Sequence, residues 1–166
     1  MIAATTRAAV RGALHEPAVA DSVATADSVI SDDLTSTEAF VTMFHARLCS
    51  GTNVLSVVDA GHGLGVIVRA DGSTEIMPSL NLPLGVLPDQ AWGTGTYRLA
   101  VGDLVLVFSD GVLDLFDGTL DSLHRAARMA VDRASTAQAA VDNVTRLASR
   151  GRLADDVTVV AIRRAA

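Results

Sequence analysis

"VVDAGHGLGVIV", residues 57–68, decides how this chain folds. An apolar run ends in Asp59, and His62 stands among glycines 61, 63 and 65. Such a stretch is either a loop whose Asp59 holds a cation or a tight turn whose glycines let the chain reverse. The flanks read as strands and by themselves leave both readings open. Upstream, "AFVTMFHARLC" (39–49) is rich in β-formers, "SGTN" breaks it, and "VLSVVDA" (54–60) resumes, which predicts a hairpin. Downstream, "GLGVIVRADGSTEIM" (63–77) reads as a strand, an Asp71-Gly72 turn and a short strand.

Further out, "PSLNLPLGVLPDQAWGTG" (78–95) has no periodicity, three prolines and three glycines, and reads as a loop. "TYRLAVGDLVLVFSDGV" (96–112) reads as two strands joined at Val101-Gly102. The second, 103–109, is apolar on both faces, which predicts deep burial. Residues 3–14 are alanine-rich and read as a helix. Val19, Val23, Ala26 and Ile30 recur at helical spacing over 17–32, with Pro17 suited to a first helical turn. After Gly118 the period returns to helical. Leu120, Leu123, Ala127 and Ala130 mark one helix, and Ala137, Val141, Val144 and Ala148 another. Ser135 with Gln138 reads as a capping box at the start of the latter, and Gly151 stands where a C-cap belongs. "DDVTVVAIR" (155–163) closes the chain as a strand buried on both sides. Helices, a run of strands, helices and a final strand predict α+β with a mainly antiparallel sheet.

The 166 residues suit one domain, 1–166. Although 49% of them are apolar, no run is long enough to span a bilayer as a helix, and the start has no apolar signal segment. No membrane role is therefore expected. Cys49 is the only cysteine, so no internal disulfide forms, which fits a reducing cytoplasm. The net charge of −6 argues against a nucleic-acid partner. All thirteen basic residues are arginine, as codon bias in a GC-rich genome would give.

Acidic residues stand at the ends of both buried strands. Asp110 follows "LVLVFS" and, by alternation, shares a face with Leu104, Leu106 and Phe108. Asp155 and Asp156 precede "VTVVAI". A carboxylate at the mouth of an apolar strand needs water, a donor or a cation. Two of them on neighbouring strands would repel, and a hard divalent ion would remove that repulsion. Spacing alone leaves this open against a plain Asp-Gly turn and a capping Asp155, the commoner use of such residues.

"VVDAGHGLGVIVRADGS", "LPLGVLPDQAW", "LAVGDLVLVFSDGVLDLFDG" and "LADDVTVVAIRR" come in that order. Together they resemble the later part of a PPM-type protein serine/threonine phosphatase of the SpoIIE and RsbU branch, over most of the chain. The resemblance implies a β-sandwich flanked by helices. It implies a dinuclear Mn²⁺ or Mg²⁺ centre that activates water against phosphoserine or phosphothreonine. The family's "SDG" aspartate corresponds to Asp110 and the first acid of its closing "DD-x-T" motif to Asp155. Asp156 takes the neighbouring position, where the family also has asparagine, and is the poorer ligand. No other catalytic residue is assigned.

The family also has two motifs like "DAGHG". An early one binds both metals and runs into a helix of small residues; a later one, "N-A-G-H", is a structural strand end. Here a strand and a turn follow, so Asp59 corresponds to the structural asparagine and His62 belongs to the same motif, hydrogen-bonded near the backbone. Asp59 and Asp114 remain the reserve ligands. On this alignment the family's opening strands and two of its metal carboxylates are expected to be missing, leaving a truncated PPM-type domain with weak or absent metal binding. The implied substrate is a phosphorylated anti-anti-sigma (STAS-domain) protein of a partner switch that controls sigma factors. The alternatives are a non-catalytic module that docks such a protein, and an unrelated α+β domain. Homodimerisation is the expected self-association.

Overall fold

The structure, a computed structural model, describes residues 2–149 and 155–165. They form two compact units, one from the described residues up to Gly63 with Pro78–Arg98, the other from Leu64–Met77 with the described residues from Leu99 onward.

The first unit carries helices α1 (Ile2–Gly12) and α2 (Val19–Ser36) and strands β1 (Met43–Cys49), β2 (Val54–Ala60) and β5 (Gly95–Arg98). The sheet order is β1-β2-β5, antiparallel throughout. In β1–β2, Met43 faces Ala60 and Cys49 faces Val54, the hairpin expected across "SGTN". Val19, Val23, Ala26, Ile30 and Leu34 form the buried stripe of α2. Val58 of β2 packs with Val19 and Val23, and Ala60 with Ile30 and Leu34. That stripe, not alanine content, holds the helix down. The helix starts two residues after Pro17. Glu16 and Pro17 carbonyls instead accept from the Arg47 guanidinium, each at 2.7 Å.

The second unit holds β3 (Gly65–Val68), β4 (Thr74–Met77), β6 (Leu104–Phe108) and β7 (Val159–Arg163), with α3 (Leu120–Val131) and α4 (Ala137–Ala148). Its order is β4-β3-β6-β7, again antiparallel. Val66, Val68, Leu104, Leu106 and Phe108 from the sheet meet Leu123, Ala127, Ala130, Ala140 and Val144 from the helices in one core. Small alanines let the helices approach the sheet closely. The architecture is α+β, with antiparallel sheets and accompanying helices.

Two strands flank Val101-Gly102 as expected, and they belong to different sheets; the burial of β7 and the cap of α4 are corrected. β5 pairs with β2 and β6 with β3 and β7. The turn between them is fixed by Asp103, which is 1% exposed and accepts from the amides of Ala100 and Ala70 at 2.9 Å and from Arg69 at 2.9 Å. β7 is not buried on both sides: Val160 is 53% and Ile162 40% exposed. Val159 and Ala161 pack on this unit's core, while Val160 and Ile162 alternate to the other face of the strand. The cap of α4 is Thr136, whose hydroxyl accepts from Ala139 N at 3.1 Å, while Gln138 turns outward to Asp142. Gly151, the expected C-cap, lies outside the described residues.

Candidate metal centre

Asp110 and Asp155 reach the same end of the second unit's sheet. β6 and β7 are neighbours, and their ladder closes at Phe108 opposite Val159. Asp110 lies just beyond β6 and Asp155 just before β7. Alternation along β6 does not reach Asp110. The strand stops at Phe108, and Asp110 opens a 3-10 turn, Asp110–Leu115, so its side chain is exposed instead of following Phe108 inward. That turn also carries Asp114, likewise exposed.

Side-chain and backbone bonds tie the two ends together. Ser109 N donates to Thr158 O at 2.9 Å. The Ser109 hydroxyl donates to Asp156 O at 3.0 Å and accepts from Thr158 N at 2.8 Å. Gly111 is buried against the same segment. A Cβ there would overlap the Asp156 carbonyl oxygen and lie 3.2 Å from that of Asp155. Glycine at 111 is thus a matter of close approach, not of a turn conformation.

Each aspartate spends one oxygen locally. Asp110 Oδ1 accepts from Gly111 N at 3.1 Å, and Asp155 Oδ1 from Asp156 N at 2.7 Å. Neither forms an ion pair among the described residues. Two exposed hard-oxygen carboxylates with no cationic partner fit the donor chemistry of Mn²⁺ or Mg²⁺. Among the described residues, no three His, Cys, Asp or Glu side chains gather as a metal cluster. Asp156 is exposed, and its carbonyl is the part engaged with Ser109 and Gly111.

Asp59 belongs to the first unit and has a different role. It is 2% exposed. Its carboxylate accepts from His62 N at 2.7 Å and Gly63 N at 2.9 Å, closing the glycine turn on itself. Gly61 takes φ +74°, and Pro83 packs where a Cβ would stand. The loop 78–95 is wired to this turn by residues that periodicity could not single out. Asn81 Nδ2 donates to Asp59 O and Gly93 O, each at 3.0 Å, and Asn81 Oδ1 accepts from Gly93 N at 2.6 Å. The Ser79 hydroxyl accepts from Gly61 N at 2.9 Å. His62 departs from expectation. Its backbone amide bonds Asp59, while its ring stands edge-on to Phe44 at 6.2 Å and its buried Nε2 has no hydrogen-bond partner among the described residues.

The sequence model of the family described as Stage II sporulation protein E (SpoIIE) matches residues 1–165. No curated protein matches the chain. Among solved structures it is similar to the RsbU and RsbW domains of Rv1364c from Mycobacterium tuberculosis. The identity is 25% and the TM-score 0.82, over 99% of this chain and 48% of that one. It is similar to the PP2C phosphatase domain, with a fragment of the regulatory domain, of SpoIIE from Bacillus subtilis. There the identity is 21% and the TM-score 0.77, over 98% of this chain and 49% of that one. It also has the fold of the catalytic domain of the serine/threonine phosphatase PstP in complex with two manganese ions. That likeness has 18% identity and a TM-score of 0.70, over 96% of this chain and 79% of that one. The chain thus spans about half the length of the first two solved chains.

Proposed function

Because the chain belongs to the SpoIIE family, we propose that it serves a metal-dependent protein serine/threonine phosphatase of the SpoIIE and RsbU type. The observation that carries this reading is the fastening of Ser109 and Gly111, the two neighbours of Asp110, to residues 155–158 at the end of the β6–β7 ladder. Asp110 and Asp155 are the residues that would hold Mn²⁺ or Mg²⁺. When bound, such ions supply Lewis acidity toward water and the phosphoryl oxygens. The protein's own part in this reading is to hold two exposed carboxylates at one end of the sheet, where a cation would relieve their repulsion. The substrate in this reading is a phosphoserine or phosphothreonine STAS-domain protein in the cytoplasm. A similar solved chain that joins RsbU and RsbW domains supports a partner-switch setting.

One observation favours a second reading, a non-catalytic module that docks the same protein. Two carboxylates are fewer than a dinuclear clamp uses, and no third ligand joins them among the described residues. Phosphate release from a phosphorylated STAS protein, with and without Mn²⁺, separates the two. Mn²⁺-dependent turnover abolished in Asp110→Asn supports the enzyme. Tight binding without turnover, indifferent to Asp110→Asn, supports the docking module.

A further inference from the structure

We infer that the Ser109 hydroxyl is a positioning group for the metal carboxylates, an inference that rests on the metal reading of Asp110 and Asp155. The β6–β7 ladder ends at Phe108 opposite Val159. One residue later the chain turns into the 3-10 segment, so Ser109 no longer offers its carbonyl to Thr158 as a strand would. Its hydroxyl takes that place, accepting from Thr158 N at 2.8 Å. The same hydroxyl donates to Asp156 O at 3.0 Å. One oxygen therefore brackets Val157, from a residue directly before Asp110 in the chain.

The electrostatics make this fastening necessary. Asp110, Asp155 and Asp156 are all exposed, and no cation pairs with them among the described residues. Like charges drive the two strand ends apart in the metal-free state. A neutral hydroxyl with one donor and free lone pairs can bind both an amide and a carbonyl without adding charge to the site. Gly111 supplies the other half of the fastening, because only a residue without a Cβ fits against Asp155 and Asp156. Ser109 touches neither substrate nor carboxylate in this scheme; it acts through the backbone of residues 156–158.

The test is a Mn²⁺ titration of the full chain, followed by the paramagnetic resonance of unbound Mn²⁺, with thermal melting and amide exchange of Thr158 in parallel. Loss of a group that orients metal ligands typically weakens affinity by about 10- to 100-fold. Ser109→Ala should weaken Mn²⁺ binding about tenfold, speed exchange at Thr158 and leave the melt nearly unchanged. Ser109→Thr keeps the oxygen and should restore both readouts. If Ser109→Ala is too unstable to titrate, Ser109→Cys keeps the bulk with a poor acceptor and should show the same loss. Equal Mn²⁺ affinity in wild type and the alanine variant overturns the positioning role while leaving the metal reading intact. A wild-type chain that binds no Mn²⁺ overturns the metal reading and the positioning role with it, and faster Thr158 exchange in Ser109→Ala then marks the clamp as structural.

Discussion

Asp59 and Asp110 stand in similar company, near a strand end with a glycine close behind, and do opposite things. Asp59 is enclosed and its oxygens are taken by the amides of His62 and Gly63. Asp110 is exposed with a single local bond. Removing a buried acceptor strands its donors, so Asp59→Ala should cost about 2–3 kcal/mol of stability in a urea melt. It should leave Mn²⁺ affinity unchanged; a loss of affinity with stability intact would make Asp59 a ligand after all. Gly111→Ala should act the other way. Its methyl must displace the Asp156 carbonyl, at a cost of about 1–3 kcal/mol, and should carry Asp155 away from Asp110. The prediction is weaker Mn²⁺ binding out of proportion to the stability lost. Wild-type affinity in Gly111→Ala would show that the close approach is mere packing.

At the level of elements, two helix starts invite measurement. The Thr136 hydroxyl caps α4, whereas Ser135 makes no such bond. Thr136→Ala should therefore cost about 1 kcal/mol in a melt and Ser135→Ala close to nothing; the reverse order would restore the capping box read from Ser135 and Gln138. Before α3, Asp117 Oδ1 accepts from the hydroxyls of Ser122 and Thr119, each at 2.7 Å. Those bonds, Ser122's first, hold its pKa down to about 2 from 3.8. A depressed carboxylate stabilises the folded state above its ordinary pKa and loses that contribution as pH falls through the folded value. The loss should run from near pH 4 to near pH 2, and an NMR titration of Asp117 should return toward 3.8 in Ser122→Ala. A midpoint unmoved by that substitution would remove the hydroxyls as the cause. These cases also mark how far the sequence was legible. Both hairpins and the α2 stripe were readable, because apolar period and Asp-Gly turns are local signals; the adjacency of β6 and β7 is a long-range pairing that only the family resemblance implied. The edge position of β7 was not, since Val160 and Ile162 look like core residues in any strand. Nor was the Asn81 wiring, a long-range polar contact inside a loop with no period. The Ser109 clamp hid for the same reason: a serine before Asp-Gly carries no signal until β7 is laid beside it.

For the whole molecule, the metal reading makes a regional claim. Asp110 and Asp155 both belong to the second unit, and Asp59 in the first is already saturated by its own turn. A ligand that binds only the folded state stabilises it by RT ln(1 + [L]/Kd), about 1.4 kcal/mol at tenfold excess over Kd. For a chain of this size that raises Tm by roughly 3–6 °C. The gain should appear where the ion sits. Hydrogen exchange with and without saturating Mn²⁺ should show added protection at the Ser109–Gly111 turn and along β6 and β7, reversed by a chelator. β1, β2 and β5 should exchange as before, because no residue of that sheet is assigned to the ion. Mg²⁺ should act in the same region at higher concentration, since it gives up its water shell reluctantly. Arginine-only basic residues and a net charge of −6 leave a general cation atmosphere as the competing cause. That cause would raise protection diffusely, respond equally to Ca²⁺ or to monovalent salt, and persist in Asp110→Asn. Protection confined to the second unit and lost in that variant is the outcome required; a diffuse, variant-indifferent gain would remove Asp110 and Asp155 as a site.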